Sequence, residues 1–298
     1  MSAALNAQAT AKGAAPIRRQ RFLTFVAALY RKPVHALGTT IFLAFLLLAV
    51  AGTLISPYQV NEQIVEDARQ APSAVHWFGA DHLGRDVFSR VMLGTRDIFS
   101  LAGTGTLLAV AIGASLGLVS GYRGGWFDEL LMRFFDSLLA LPALLLAMLL
   151  LGTLGPSREA VLIVIVVVYI PIVARVVRSV VLPTKTLAYI EAAKTQGETT
   201  ARILFREIFP AVLPALSVEA ALRFSYAIFL ASSLGFLGVG VQPPSPDWGL
   251  MVNEARDTVS QTPWALYFPA GAISLLVISV NLMADGLKQA LQVDIEMK

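Results

Sequence analysis

The chain has 298 residues, a formal net charge of +3, no cysteine, 56% hydrophobic residues and only 14% charged ones. A soluble domain carries about a quarter of its residues as charge, and a water-soluble fold of this length cannot hide so much apolar surface, so the solvent is read as a bilayer. Without cysteine there is no disulfide framework, thiol nucleophile, thiolate zinc site or iron–sulfur cluster. The histidines are His35, His76 and His82, and there is neither an H-E-x-x-H nor a G-x-x-x-x-G-K-[ST], so the chain brings no ATP loop of its own.

A helix needs about 20 mostly apolar residues to cross the hydrocarbon core. In chain order the candidates are Val34–Ile55, Ile98–Ser120, Phe134–Leu154 with Pro142 inside, Ala160–Leu182, Ala215–Val241 and Ala265–Leu287. These predict an all-α integral membrane protein with six transmembrane helices. Around them fall a basic tail over 1–33, a first span with its outer loop over 34–97, a core over 98–287 containing a loop at 183–214, and a short tail over 288–298. The tail before the first span holds Lys12, Arg18, Arg19, Arg21, Arg31 and Lys32 and no acid. With that tail inside, 16 of the 23 basic residues lie on the cytoplasmic side and six on the other, which places both termini in the cytoplasm.

Several motifs have a structural reading beside a chemical one. Gly113-Ala114-Ser115-Leu116-Gly117 matches a nucleophile elbow, but that elbow needs a strand-to-helix turn and a later histidine, and none follows His82. Gly105, Ala109, Gly113, Gly117 and Gly121 instead recur every four residues, a small-residue face that predicts close helix packing. Gly235, Gly238 and Gly240 lack the strand–turn–helix frame of a nucleotide site and predict a loosened helix end before Pro243 and Pro244. His76 and His82 near Asp81 and Asp86 are read as loop residues rather than metal ligands. Asp136 and Asp285 sit near span ends, where they can snorkel, and Arg175 and Arg178 mark the end of the fourth span. Glu219 and Arg223, four residues apart within the fifth span, share one face. Either they pair to lower their own insertion cost, or they line a polar pathway.

The loop at 183–214 is the most informative. Ala188–Thr195 is a helix former, Gly197 suits a left-handed turn, and Thr199 or Thr200 can cap a second short helix. In that helix Ile203, Leu204, Ile208 and Phe209 form an apolar face, while Arg202, Arg206 and Glu207 stay wet. Such a helix either lies on lipid or docks in a partner's groove.

At this loop the chain resembles the permeases of binding-protein-dependent ABC importers, whose mark is E-A-A, three residues, G, then a hydrophobic stretch closed by proline. Glu191, Ala192, Ala193, Gly197 and Pro210 fit it, and Glu207 and Phe209 at the usual I and L positions look like the dipeptide, oligopeptide and nickel branch. Trp77–Asp86 (WFGADHLGRD), Ser233–Pro244 followed by Trp248-Gly249, and Asn281–Leu287 (NLMADGL) are similar to three further stretches of that branch. The resemblance implies a type I importer permease, multi-pass in a bacterial inner membrane, with no catalytic chemistry, metal or nucleic-acid partner of its own. It further implies a second, commonly different, permease chain, an extracytoplasmic binding protein, and two ATPase subunits that hold ATP and Mg and grip the loop through Glu191 to Pro210, Arg202 and Arg206 included. Peptides are the expected solute, with nickel, glutathione and oligosaccharides as alternatives. A secondary transporter or channel using the intramembrane charges is the competing class.

Overall fold

The computed structural model describes residue 30 and residues 32–296, so most of the basic tail expected over 1–33 lies outside the described residues. Those residues form α1 (Pro33–Ile55), α2 (Val87–Arg123), α3 (Gly125–Leu139), α4 (Ala143–Leu154), α5 (Arg158–Thr184) and α6 (Ala188–Thr195). They continue with α7 (Thr200–Phe236), α8 (Trp248–Arg256) and α9 (Pro263–Glu296). Five of these helices are long and apolar enough to cross a membrane, and α3 with α4 makes a sixth, broken span.

Local chemistry sets the helix ends. Asp86 caps α2 by accepting from the Ser89 N–H at 2.7 Å, Ser157 caps α5 by accepting from Ala160, and Pro33 occupies the first turn of α1, where a missing N–H costs nothing. At the far end of α7, Gly238 takes φ +77° while its N–H reaches the Gly235 carbonyl and the Val239 N–H reaches Leu234. This is a Schellman stop, so the glycines there end the helix by a fixed turn rather than by loosening it.

Two expected elements differ. The third span is not one straight helix: α3 and α4 meet at 91° across Ala140–Pro142. Pro142 supplies no N–H and forces the residue before it out of the helical region, so the apolar run continues while the helix does not. The second short helix of the 183–214 loop is not separate either. Thr200–Arg202 passes through a π-helical stretch, Ile203–Ile208, into Phe209–Phe236 without a break. Pro210 and Pro214 cannot donate to the carbonyls one turn back, and the widened turn just before them takes up the mismatch.

The centre of the bundle is α2 against α5, with α7 and α9 completing a core built around Ile98, Ala102, Ile165, Ile228, Leu234 and Leu276. α1 lies on α9, with Gly38 seated against Ser279, Leu282 and Met283. The start of α1 and the end of α9 are therefore neighbours, at the same end of the bundle as α6.

Candidate functional site

The α6 turn is built from its sequence upward. Gly197 adopts φ +76°, its N–H bonds the Lys194 carbonyl at 3.0 Å, and the Glu198 N–H bonds Ala193 at 3.1 Å. This second Schellman motif reverses the chain, and Thr199 then caps α7 by accepting from Arg202. Ile190 and Ala193 pack inward with Ile203, Leu204 and Ile208 against Val177 and Val181 of α5. The apolar face expected to meet lipid or a partner is thus consumed inside the chain. What α6 and the start of α7 present outward is Glu191 and Ala192 with the apolar Leu187, Tyr189 and Phe205. Arg202, Arg206 and Pro210 are exposed beside them, and Arg202 is held by Glu198 at 3.2 Å. The outward apolar residues escape sequence reasoning because they alternate with the buried ones at helical spacing.

The glycine face of α2 lies on α5. A Cβ added at Gly113 would stand 2.8 Å from Val173 Cβ, at Gly117 2.5 Å from the Ala174 carbonyl oxygen, and at Gly121 2.9 Å from Val181 Cβ. Ser115, on the other side of the helix, spends its hydroxyl on the Ala111 carbonyl. Lys185 closes the same end by donating to the carbonyl oxygen of Gly121 at 2.6 Å, which neutralises the negative end of α2.

The charges near span ends find partners across helices. Arg178 meets Asp128 with two parallel hydrogen bonds of 2.6 Å, and Arg175 pairs with Asp136. Arg175 and Arg178 are therefore more than markers of a helix end, and Asp136 does not merely snorkel: together they moor α3 to α5. Asp285 is exposed. Glu219 and Arg223 do pair, Nε to Oε1 at 2.8 Å, with both side chains largely buried. Yet neither of those two atoms has a hydrogen-bond partner of acceptable angle, so the contact is one of charge more than of directed bonds.

At the opposite end, the segment WFGADHLGRD folds into a buried ionic assembly. Asp81 takes Arg85 Nε at 2.6 Å and Arg90 Nη1 at 3.1 Å; Glu254 on α8 takes the same two arginines at 2.7 and 3.3 Å. Arg90 also donates to the Ser245 carbonyl, and Trp264 donates to that of Ala80. His76 is wholly buried, its Nδ1 2.8 Å from Asp86 and its Nε2 3.2 Å from Asp67, so both ring nitrogens are committed to carboxylates. Its role is the structural one. The loop is clamped to α8 before α2 begins.

This clamp is pH-sensitive with a definite sign. Burial by itself lowers the His76 pKa, but the hydrogen bonds to Asp86 and Asp67 outweigh it and hold it above its ordinary 6.5. Burial raises the Asp247 carboxyl from 3.8 to about 6, against the N–H of Leu250 that it caps. Both groups bind more protons folded than unfolded, so their contribution falls as pH rises, Asp247 through about 6 and His76 through its raised value. Amide-exchange protection of 76–90 and 247–256, corrected for intrinsic rates, should therefore fall as pH rises from about 4 to about 6 through Asp247, and further above 6.5 through His76. His76→Gln should remove the upper part of that dependence and Asp247→Asn the lower; protection that rises with pH would contradict the assignment.

A bundle of apolar helices with one compact turn at one end and an ionic clamp at the other defines a polytopic membrane protein. Residues 110–293 match the family described as binding-protein-dependent transport system inner membrane component. The chain is 40% identical over 263 residues to a dipeptide transport system permease protein of Alkalihalophilus pseudofirmus, covering 88% of this chain and 86% of that one. It is 40% identical over 249 residues to a glutathione transport system permease protein of Pectobacterium atrosepticum, covering 83% of each. A glutathione transport system permease protein of Escherichia coli is 38% identical over 264 residues, 88% and 87% of the two chains. The chain belongs to this family: it is a multi-pass inner-membrane permease of the peptide and nickel type of ABC importer.

Proposed function

We propose that the chain forms one half of an ATP-driven import path for peptides, with both termini in the cytoplasm. A second, different permease chain supplies the other half, and an extracytoplasmic binding protein delivers solute at the α8 end. Two ATPase subunits, holding ATP and Mg, grip the turn from Glu191 to Pro210. The observation that carries this reading is the continuity of α7. Its 37 residues run from the exposed turn at Thr200 to Phe236, about 55 Å at 1.5 Å per residue. Near its far end, Gly249 of α8 sits directly on the Ser232 backbone, and Glu254 of α8 joins the clamp. A displacement of the turn therefore reaches the binding-protein side through one rod, as alternating access requires. The relatives named for dipeptide and glutathione transport support a peptide cargo.

The test has two arms. Because the native chain has no thiol, single cysteines at the exposed Ala74 and Ser260 should react with an impermeant maleimide on intact cells, and one at Thr200 should not. In proteoliposomes carrying all subunits, peptide uptake should need ATP and the binding protein and should persist when the proton gradient is collapsed. Labelling at Thr200 from outside overturns the orientation; loss of uptake with the gradient favours a secondary transporter.

A further inference from the structure

The Glu219–Arg223 pair has a position that self-neutralisation alone does not explain. Arg223 lies within the membrane-spanning part of α7, where a charge is expensive, and such residues face protein or a water-filled cavity rather than lipid. Two separate pockets open beside the pair. One, of about 320 Å³, lies toward the α8 end and is lined by Arg223 with Tyr169, Tyr226 and Ser233. The other, of about 350 Å³, lies toward the α6 end and is lined by Glu219 with Asp285 and Lys288. Arg223 is thus on the wall of one pocket and Glu219 on the wall of the other.

The bonding of Arg223 is also incomplete. Tyr226 and Tyr169 lie 4.7 and 5.6 Å from the guanidinium carbon, so aromatic rings flank the cation. Arg223 Nε and Glu219 Oε1 are both buried without an aligned hydrogen bond although only 2.8 Å apart. A guanidinium held by rings and charge, with hydrogen-bonding capacity unused, is suited to accept a planar carboxylate edge-on.

We propose that Arg223 is an intramembrane relay site for a carboxylate group of the passing solute, with Glu219 as the counter-ion that the solute displaces. The proposal rests on the importer reading and narrows its cargo to solutes bearing a free carboxylate. On arrival in the pocket toward α8 the solute carboxylate takes the place of Glu219 on Arg223. Glu219 then turns to the pocket toward α6, where Lys288 stands beside Asp285 on the same wall, and its return expels the solute. Net charge at Arg223 stays balanced throughout.

The experiment uses the full complex in proteoliposomes, with alanyl-phenylalanine as probe and its binding protein saturated. Folded yield, ATP hydrolysis stimulated by loaded binding protein, and uptake are read separately. Arg223→Gln alone should lower folded yield, because it strands a buried carboxylate, and the double variant E219Q/R223Q should restore it. If the relay exists, the double variant keeps stimulated ATP hydrolysis within about twofold of the parent yet loses uptake by about tenfold or more, and Arg223→Lys keeps part of the uptake. Parent-like uptake in the double variant would overturn the relay, reducing the pair to mutual neutralisation, and leave the importer reading intact. Failure of the parent complex to import the probe would strike the peptide reading itself, and the relay with it.

Discussion

Gly117→Leu should leave little folded protein recoverable in detergent, while Gly271→Leu should be recovered like the parent. Inside a bilayer no hydrophobic effect draws α2 and α5 together; the contact is held by van der Waals packing that fades within fractions of an ångström. At Gly117 even a methyl group would sit 2.5 Å from the Ala174 carbonyl oxygen and 2.8 Å from Val177 Cβ. The first of these is backbone of a helix anchored by Arg178–Asp128 and Lys185–Gly121, so it cannot swing aside like a side-chain tip. Overpacking a well-filled site costs about 1–3 kcal/mol, and an isobutyl group against backbone belongs at or beyond the top of that range. Gly271 has no atom within 4 Å of the position a Cβ would take, so it controls for bulk and hydrophobicity alone. Fluorescence-detected size exclusion of the two variants reads the difference directly. Equal monodisperse peaks would show that α2 and α5 are not in close contact.

The parts of this fold legible in the sequence are those whose cause is local. Apolar runs of span length, the four-residue glycine spacing and the Glu219–Arg223 offset all declare themselves within a few turns of one helix. What was not legible depends on partners far along the chain. Asp128 and Arg178 are 50 residues apart, and Arg85 and Glu254 169, so no periodicity announces either pair. For the same reason WFGADHLGRD could be recognised as a pattern without its task as an ionic clamp being visible. Pro142 is plain in the sequence, but an apolar window averages over the break, and composition alone reads a bent pair as a straight span. After the α6 turn, helical periodicity marks the apolar face but not its destination: whether Ile203, Leu204 and Ile208 meet lipid, partner or their own chain is decided by where α5 ends.

That destination sharpens the prediction for the turn. Gly197→Val and Glu191→Ala should each insert and fold normally, leave solute binding to the binding protein unchanged, and cut stimulated ATP hydrolysis and import about tenfold or more. Gly197 has open space on all sides, so valine there loses no packing; the whole cost is conformational, because a β-branched residue resists φ +76° by roughly 1 kcal/mol or more. That strain falls on the two Schellman hydrogen bonds fixing α6 relative to α7, and it tilts the surface carrying Leu187, Tyr189 and Phe205. Gly197→Asn, which tolerates left-handed geometry far better, should retain most of the activity, a distinction that a surface-chemistry role for the glycine would not produce. Glu191 is exposed on the opposite face of α6 from Ile190 and Ala193, so its removal costs the isolated chain little. Any loss of import must then come from a charge-assisted bond to another subunit, of the kind that contributes on the order of 1.5–3 kcal/mol. Pull-down of the ATPase subunits separates the two routes: Glu191→Ala should weaken their retention, whereas Gly197→Val should retain them and transmit poorly. Parent rates of ATP hydrolysis and uptake in the double variant would remove the turn from the drive train, and the rod argument for α7 would go with it.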